Sequence, residues 1–429
     1  INKTNMERKK IFKIDWILVL VYLFLICFGL ANIISSSISG DNFSLFDFST
    51  LYGKQLIFII LSLVLIAVTL TIEVKFYERF SSIFYLICLF FLFGLFFLGD
   101  TINGALSWYT LNNITIQPSE FMKIGTALAV AKFVSDFQTN LNKRSDQIRI
   151  FTIIFLPIVT ITLQNDTGTA IVFLSLFFVL YREGISQIYL LIVFIIISIS
   201  ILTIKISMSA SILASLALIV LYYLFQNRKS RSITSSFIIF VFCISISGLT
   251  DYTYNNILKT HQKNYISVWL NLEKDPIKIK QMKRTILYNL NESEKAISSG
   301  GLVGKGYLEG TRTIGNFVPE QHSDYIFSSI GEEWGFLGSS FIIIAYIILI
   351  IRIINLSEMQ KNHFSRIYGY SVASIIFIHF MINIGMVLGL TPTIGIPLPF
   401  ISYGGSSLIA FTLLLFIFIR LDANRINEW

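Results

Sequence analysis

Three polar clusters interrupt the long apolar stretches of this 429-residue chain, and they contain the side chains that could carry chemistry. Ionisable residues at membrane depth are costly, so each is a candidate functional residue. The first cluster spans 117–123, where Pro118 stands at the start of a predicted helix. Glu120 and Lys123 are three residues apart and share one face of that helix. They form either a structural ion pair or a cationic site for an anionic group.

The second cluster spans 164–169 and separates two apolar segments. Non-helical backbone at membrane depth is tolerated only where it is buried in protein or lines a cavity. Asp166 therefore has two interpretations, as the cap of the following helix or as a group that faces a substrate cavity. Trp108 precedes the first cluster, and alone it would be an aromatic residue of the membrane interface.

The third cluster is the richest and spans 299–335. Its glycines lack the spacing of a nucleotide-binding P-loop, but backbone donors beside Lys305 and Arg312 could hold a diphosphate. Asp324 stands where this segment meets the next apolar stretch. A carboxylate in such a half-dry place can act as a general base, and the alternative is a helix N-cap.

The composition places these clusters in a membrane protein. Apolar residues make up 54% of the chain, charged residues make up 14%, and the mean hydropathy is +0.72. An average soluble domain has about 25% charged residues. The composition thus excludes a disordered chain, a soluble nucleic-acid binder and a disulfide scaffold. We expect an all-α polytopic membrane protein.

Twelve apolar segments approach the length of about 20 residues that a helix needs to cross a bilayer. We expect ten to twelve transmembrane helices in one membrane domain that spans residues 1–429. The predicted segments are 14–34, 56–72, 80–98, 119–136, 150–163, 168–182, 187–206, 209–225, 233–250, 326–351, 367–390 and 401–420.

Basic residues are concentrated in alternate loops, and this pattern predicts the orientation. The basic residues before position 14 favour a first spanning helix with its start in the cytoplasm over a cleaved signal peptide. An even number of spans then places both termini in the cytoplasm and residues 251–325 in a large extracytoplasmic loop. Loops of this length are usually functional or disordered, and Trp269 and several tyrosines favour an ordered functional loop.

Five motifs, in order along the chain, resemble those of the SEDS family, whose members include RodA, FtsW and SpoVE. The resemblance covers about residues 10–425. The matching segments are Gln117-Pro118-Ser119-Glu120, Asp166-Thr167-Gly168-Thr169-Ala170, Ser299-Gly300-Gly301 with Gly304-Lys305-Gly306, 319–327 with Glu332-Glu333, and 395–407. Gly310-Thr311 and 395–399 look more like the elongation members (RodA) than the division members (FtsW).

The resemblance implies a peptidoglycan glycosyltransferase of the bacterial cytoplasmic membrane. Such an enzyme polymerises lipid II, a disaccharide-peptide on an undecaprenyl diphosphate carrier, at the outer face during cell elongation. The essential aspartate of the family falls on Asp324. The expected substrate-binding residues are Lys123, Glu120, Trp108, Asp166, Lys305, Arg312, His322 and Ser402. The implied partners are a class B penicillin-binding protein transpeptidase and the elongation complex, with no nucleic acid.

Two positions depart from the family in a way that matters for the diphosphate. Arginines that members often carry are here Ser107 and Thr115. If those arginines hold the diphosphate, Lys123, Lys305 or Arg312 must replace them, and Arg312 alone can fork onto two phosphate oxygens. No cofactor is certain. A divalent cation, Mg²⁺ or Mn²⁺, that bridges the diphosphate is compatible with this chemistry.

Three alternatives stay open at this level. Broken helices and intramembrane charges also suit a flippase or transporter of the same lipid. A division-type polymerase of the same family is the second alternative, and a non-catalytic scaffold is the third. The long outer loop with a carboxylate opposite basic residues favours chemistry over transport, and the polar clusters on one face argue against a scaffold.

Overall fold

The computed structural model describes residues 14–425 apart from 38–46, 103, 112–113, 226–231, 259, 271, 273–274, 276–280, 283 and 286. The basic residues before position 14 and those of 226–231, which contribute to the predicted orientation, lie outside the described residues. The chain divides into two compact units. The first unit comprises Ile1–Gly184 and Asn289–Trp429, and the second comprises Ile185–Tyr288.

The secondary structure consists of helices and one small sheet. In chain order they are α1 (Trp16–Ser37), α2 (Leu51–Thr71), α3 (Val74–Leu98), β1 (Asp100–Ile102), β2 (Ala105–Leu111), β3 (Ile114–Ile116), α4 (Pro118–Ser135), α5 (Arg144–Leu163), α6 (Thr167–Phe173), α7 (Leu176–Arg182), α8 (Ile188–Lys205), α9 (Met208–Phe225), α10 (Ile233–Tyr252), a π-helical turn (Thr253–Ile257), α11 (Thr260–Trp269), α12 (Tyr288–Gly300), α13 (Thr311–Ile314), α14 (Ile326–Glu358), α15 (His363–Val387) and α16 (Gly405–Asn424).

The predicted all-α membrane class is confirmed. Each of the twelve predicted apolar segments contains a helix, although 388–390 and 401–404, at the ends of the last two, are not helical. Helices α6 and α7 form the broken segment after the polar cluster 164–169. Among the described residues, nine helices are long and apolar enough to cross a membrane. The orientation of the chain and the number of crossings stay predictions.

Helix α4 lies at the centre of the first unit. It packs against α3, α5, α15 and α16, and its residues between Pro118 and Ala131 are buried except for one. By contrast, α3 exposes large apolar side chains such as Phe90 and Phe97, which are 74% and 87% exposed. An apolar exposed face is expected of a helix that contacts lipid. Glu120 and Lys123 of α4, each with 2% of its side chain exposed, are enclosed by protein.

A small antiparallel sheet connects α3 to α4, in the strand order β1-β2-β3. The sequence pattern did not predict this sheet. Trp108 of β2 pairs with Asp100 of β1, and Tyr109 pairs with Ile116 of β3. The backbone N–H of Leu106 donates to the carbonyl of Gln164 (2.9 Å). The strand that carries Trp108 is thereby fixed to the polar turn before α6.

Helices α8, α9 and α10 of the second unit are joined by hydroxyl contacts. Ser200 and Thr250 lie 3.0 Å apart, and Ser211 and Ser247 lie 2.9 Å apart. Thr203 donates to Ser211 (3.0 Å). Such interhelical hydrogen bonds between small residues are typical of packed membrane helices. The predicted loop 251–325 contains α11, α12 and α13 in its described part.

Candidate active site

Asp324 lies on the segment just before α14 and is held by the C-terminal part of the chain. Asn383 Nδ2, on α15, donates to the backbone carbonyls of Asp324 (2.8 Å) and Ile396 (2.7 Å). A Cβ atom on Gly395 would lie 3.1 Å from Asp324 Oδ2, so the carboxylate faces the backbone of the loop between α15 and α16. The cap position of α14 is occupied by Tyr325 and not by Asp324.

The environment of the Asp324 carboxylate favours its protonated form. Burial, with smaller contributions from the negative charges of Glu320 and Asp166, raises the pKa of Asp324 to about 7. No side chain of the described residues donates a hydrogen bond to this carboxylate. A carboxylate with a pKa near neutrality and no fixed donor can accept a proton from a substrate hydroxyl.

Asp166 both caps a helix and belongs to this cluster. Its carboxylate accepts hydrogen bonds from the backbone N–H of Thr169 (3.1 Å) and from the Thr169 hydroxyl (2.9 Å) at the start of α6. Gln117 Nε2 donates to the same carboxylate (2.9 Å). Because the charge of Asp166 acts on Asp324, the predicted clusters 117–123 and 164–169 meet next to the segment that carries Asp324.

Lys123 is buried at the centre of the unit, with 2% of its side chain exposed. Its ammonium donates to Glu120 Oε1 (2.8 Å), lies 2.9 Å from His379 Nε2, and stands 4.5 Å from the centre of the Phe411 ring. The second oxygen of Glu120, Oε2, is buried and has no partner in the described part of the chain. The predicted ion pair is present, and its cation reaches two helices from the end of the chain.

His379 links this cation to the loop between α15 and α16. Its Nδ1 lies 3.2 Å from the carbonyl of Pro397, which can only accept. Nδ1 therefore carries the proton, and Nε2 is the acceptor for the Lys123 ammonium. His379 and Asn383 are four residues apart on α15, so one face of this helix holds Lys123, the loop and Asp324 together.

The predicted residues His322 and Ser402 help to close this loop over the Asp324 segment. Ser402 Oγ donates to the carbonyl of Ser323 (2.7 Å), and the N–H of Tyr403 donates to the carbonyl of His322 (2.8 Å). Burial lowers the pKa of His322, with Glu320 opposing this effect, so its neutral form is favoured. We call Asp324, Asp166, Lys123, Glu120, His379 and Asn383 the Asp324 cluster.

The other two predicted cations belong to a second group around Glu332, which is fully buried. Lys305 Nζ donates to Glu332 Oε1 (2.5 Å), and Thr313 donates to Oε2 through its N–H (2.9 Å) and hydroxyl (2.8 Å). The N–H of Arg312 also donates to Glu332 (3.0 Å), while its guanidinium pairs with Glu292. We call Glu332, Lys305, Thr311, Arg312 and Thr313 the Glu332 cluster.

The glycine-rich stretch 300–306 packs against α14 at a break in that helix. Gly335 has a φ of +63° and a ψ of −160°, and a Cβ there would lie 2.3 Å from the N of Gly304. The N–H groups of Lys305 and Gly306 donate to the carbonyls of Glu332 and Glu333 (3.1 Å each). These backbone donors, which the sequence offered for a diphosphate, are engaged by the protein itself.

An apolar cavity of about 700 Å³ adjoins the start of α4. It lies between α3, the strands β2 and β3, and the first turn of α4. Phe91, Gly94, Tyr109 and Pro118 are among its lining residues. Since Pro118 follows Gln117, which contacts Asp166, the cavity begins beside the Asp324 cluster.

The described residues contain no group of three or more His, Cys, Asp or Glu side chains arranged to hold a metal ion. The divalent cation therefore stays a prediction.

The structure thus brings together six of the predicted site residues and separates two. Glu120, Lys123, Asp166, His322, Ser402 and Asp324 lie in or against the Asp324 cluster, and Lys305 and Arg312 lie in the Glu332 cluster. Trp108 is connected to the Asp324 cluster through its strand β2, which is hydrogen-bonded to the turn before Asp166. Gln117 and Asn383 belong to the motifs of the resemblance but were not predicted as site residues, and His379 was missed. A polar pair four residues apart within an apolar helix is the signal that would have found His379 and Asn383.

Comparison with known proteins places this architecture in a family. The family model for FtsW, RodA and SpoVE, described as cell cycle protein, matches residues 15–215 and 207–427. The peptidoglycan glycosyltransferase MrdB of Escherichia coli K12 is 29% identical over 82% of this chain and 80% of its own. The peptidoglycan glycosyltransferase RodA of Treponema pallidum is 28% identical over 92% of this chain and 94% of its own.

Two solved structures share the fold. A chain from a peptidoglycan synthase complex, studied for the coordination of polymerization and crosslinking, superposes with a TM-score of 0.70 at 22% identity and covers 97% of this chain and 99% of its own. The rod shape determining protein RodA of Thermus thermophilus gives a TM-score of 0.61 at 21% identity, with 96% and 97% coverage. Because the family model matches nearly the whole chain, this protein belongs to the FtsW/RodA/SpoVE family.

Proposed function

We propose that this protein is a peptidoglycan glycosyltransferase that polymerises lipid II. The observation that carries the proposal is the carboxylate of Asp324, which has a pKa of about 7 and no hydrogen-bond donor among the described side chains. Family membership supports the reaction, since MrdB and RodA relatives are named peptidoglycan glycosyltransferases. The names do not separate elongation from division, and an FtsW-type relative of Geobacter sulfurreducens is 27% identical.

The chemistry follows from the position of Asp324. A sugar 4-hydroxyl of one substrate attacks the anomeric carbon of another, and Asp324 takes the hydroxyl proton. A new glycosidic C–O bond forms while the bond between the anomeric carbon and the diphosphate oxygen breaks. Undecaprenyl diphosphate leaves with the bonding electrons. Asp166 and Glu320 contribute by keeping the proton affinity of Asp324 high.

Lys123 is the cation within the Asp324 cluster, so we assign it the largest share in stabilising the departing diphosphate. Its ammonium is already held by Glu120 and His379, which fixes its place in the absence of substrate. Lys305 and Arg312 stay candidates for the same role, although each is paired with a glutamate. Ser107, which replaces a frequent arginine of the family, is buried and uncharged.

The apolar cavity beside α4 is suited to the polyprenyl chain of the substrate. Its lining is almost wholly aromatic and aliphatic, and it begins next to the residues that contact Asp166. Burial of each CH₂ group of a chain contributes about 0.8 kcal/mol, so even a short stretch of the lipid adds substantially to substrate binding.

A multi-pass location in the bacterial cytoplasmic membrane, with both termini cytoplasmic and the Asp324 cluster at the outer face, agrees with this reaction. The proposed partner is a class B penicillin-binding protein within the elongation complex. In support, a chain of the same fold occurs in a solved peptidoglycan synthase complex. A flippase for the same lipid is the main alternative. It requires movement of substrate and no proton acceptor, so the unpaired Asp324 carboxylate favours the polymerase.

The test is polymerisation of lipid II by the purified protein with its partner supplied. Asp324→Asn should lower glycan synthesis by about 10²–10⁴-fold, the contribution of a general base. Glu309→Gln, an exposed carboxylate of the same predicted loop, is the matched control and should retain activity. Normal synthesis by Asp324→Asn would remove the proposed role. Lipid II transfer across vesicles without any glycan product would support the flippase instead.

A further inference from the structure

A polar pocket of about 610 Å³ lies at the opposite end of the first unit from Asp324. Helix α4 begins beside Asp166 and ends near this pocket, and its 18 residues span about 27 Å. The pair α6–α7 and helix α14 run the same way, from the Asp324 cluster to the pocket. Of these helices, α14 is long and apolar enough to cross a membrane, so we expect the pocket at the level of the lipid headgroups of the leaflet opposite Asp324.

Two buried atoms of residues that line the pocket lack hydrogen-bond partners among the described residues. Arg366 Nη2 donates to Glu183 Oε2 (2.8 Å), and the Glu183 side chain is only 8% exposed. Glu183 Oε1 and Arg366 Nε are nevertheless buried, and no described group pairs with either. A buried carboxylate oxygen without a donor is costly. The residues that line the pocket thus include one charged acceptor and one charged donor that no described group pairs.

Further donors surround this pair. Arg366 Nη2 lies 3.3 Å from His363 Nδ1, and because arginine can only donate, Nδ1 is the acceptor. In the neutral ring the proton is then on Nε2, which is free to donate. Lys143 also lines the pocket, is exposed, and has no carboxylate partner among the described residues. An anion is therefore favoured beside Lys143, His363 and Arg366.

We propose that this pocket binds the headgroup of a phospholipid whose phosphate is linked to a hydrogen-bond donor, either an ammonium or a hydroxyl. The phosphate contacts Lys143, Arg366 Nε and His363 Nε2, and the donor binds Glu183 Oε1. Phe137, at the rim, is fully exposed, with a relative exposure of 107%, as expected of an aromatic anchor at the membrane interface. Basic pockets between spanning helices commonly bind lipid headgroups.

The test compares phosphatidylethanolamine, phosphatidylglycerol and phosphatidylcholine of identical acyl chains by native mass spectrometry of the delipidated full-length protein. Choline has no N–H or O–H donor, so its lipid should bind about tenfold more weakly than the other two. Lys143→Gln should weaken all three lipids because they share the phosphate. Glu183→Gln should weaken only the two lipids with a donor. Lys75→Gln, an exposed lysine outside the pocket, is the control.

Equal retention of the three lipids by the wild-type protein would overturn the proposal, as would a Lys143→Gln protein that matches Lys75→Gln. If Glu183→Gln fails to fold, the comparison of the three lipids on the wild-type protein and the Lys143→Gln variant still test the proposal. Inorganic phosphate and phosphoethanolamine are titrated by calorimetry on the same sample. Binding of these as tight as that of the intact lipids would assign the pocket to a soluble phosphate compound. None of these measurements uses lipid II, so they are independent of the proposed polymerase activity.

Discussion

Asp324 and Glu332 are carboxylates only eight residues apart, yet their hydrogen-bonding environments are opposite. Glu332 receives hydrogen bonds from Lys305, Arg312 and Thr313. Asp324 receives none from the described side chains, and its neighbours Glu320 and Asp166 are negative. Asp324 is partly buried and Glu332 is fully buried, so burial by itself does not identify the proposed base.

The two carboxylates differ in the hydrogen-bond donors that surround them. Hydrogen bonds and an ammonium stabilise the anion of Glu332 and fix it in one place, where it organises the loop segment 305–313. Without donors, Asp324 can exchange a proton near neutral pH. We therefore expect Asp324, which has no described donor, to be the reactive carboxylate and the fully hydrogen-bonded Glu332 to be a structural one. Four predictions test this distinction, from the largest expected effect to the smallest.

Removal of Glu332 should destabilise the protein strongly. Glu332→Ala leaves Lys305 and the N–H groups of Arg312 and Thr313 without their partner, at a cost of about 3–5 kcal/mol. Asp324→Asn should not lower the unfolding temperature, because no donor loses a partner. Thermal unfolding of both variants in detergent checks this, with Glu309→Ala as the exposed control. Equal unfolding temperatures for the Glu332→Ala and control proteins would contradict the distinction.

The activity should follow the ionisation of Asp324. Below its pKa of about 7 the carboxylate is protonated and cannot accept a proton, so kcat/KM should fall about tenfold per pH unit as the pH drops. Glu320→Gln removes a negative charge that raises this pKa and should move the midpoint to lower pH. Initial rates across the pH range measure it, and Glu309→Gln should leave the midpoint in place. A flat profile below pH 7 would count against Asp324 as the base.

Because Gly395 lies close to Asp324, a side chain at position 395 should lower the activity. Gly395→Ala adds a Cβ 3.1 Å from Asp324 Oδ2, and the φ of +74° adds backbone strain. We expect activity to fall about tenfold, in keeping with the effect of small misplacements at a reacting centre. Gly104→Ala is the matched control, since its φ is +85° and nothing lies within 4 Å. Equal losses in the two variants would show that only backbone strain matters.

Replacement of Lys305 and replacement of Arg312 should lower the stability of the protein by different amounts. Lys305→Ala removes the ammonium from fully buried Glu332 and should lower stability by about 1.5–3 kcal/mol. Arg312→Ala leaves Glu292 paired with Lys295 (2.6 Å) and should lower stability by less than about 1 kcal/mol. The sequence-based prediction that Arg312 contributes more to diphosphate binding requires Arg312→Ala to lose more turnover. Unfolding temperature and lipid II turnover on the same samples separate the two effects.

The sequence predicted the fold class and the family, because apolar segments and motif order are local features. It also located Asp166, Lys123 and Asp324, since charges inside apolar stretches are conspicuous. It did not predict the pairing of Lys305 with Glu332, 27 residues away, because nothing local specifies such a contact. The sheet 100–116 was missed for a related reason. Its strands of three to seven residues are too short to show a clear alternation.

The burial of Lys123 also bears on how the chain enters the membrane during synthesis. Helix α4 emerges from the ribosome long before α15 and α16, which supply His379 and Phe411. During that interval Glu120 is the partner available to the ammonium within α4. The i,i+3 spacing lets the two charges neutralise each other inside a single helix, which lowers the cost of placing it in lipid. Glu120 thus neutralises the charge of Lys123 within α4 until α15 and α16 have been synthesised.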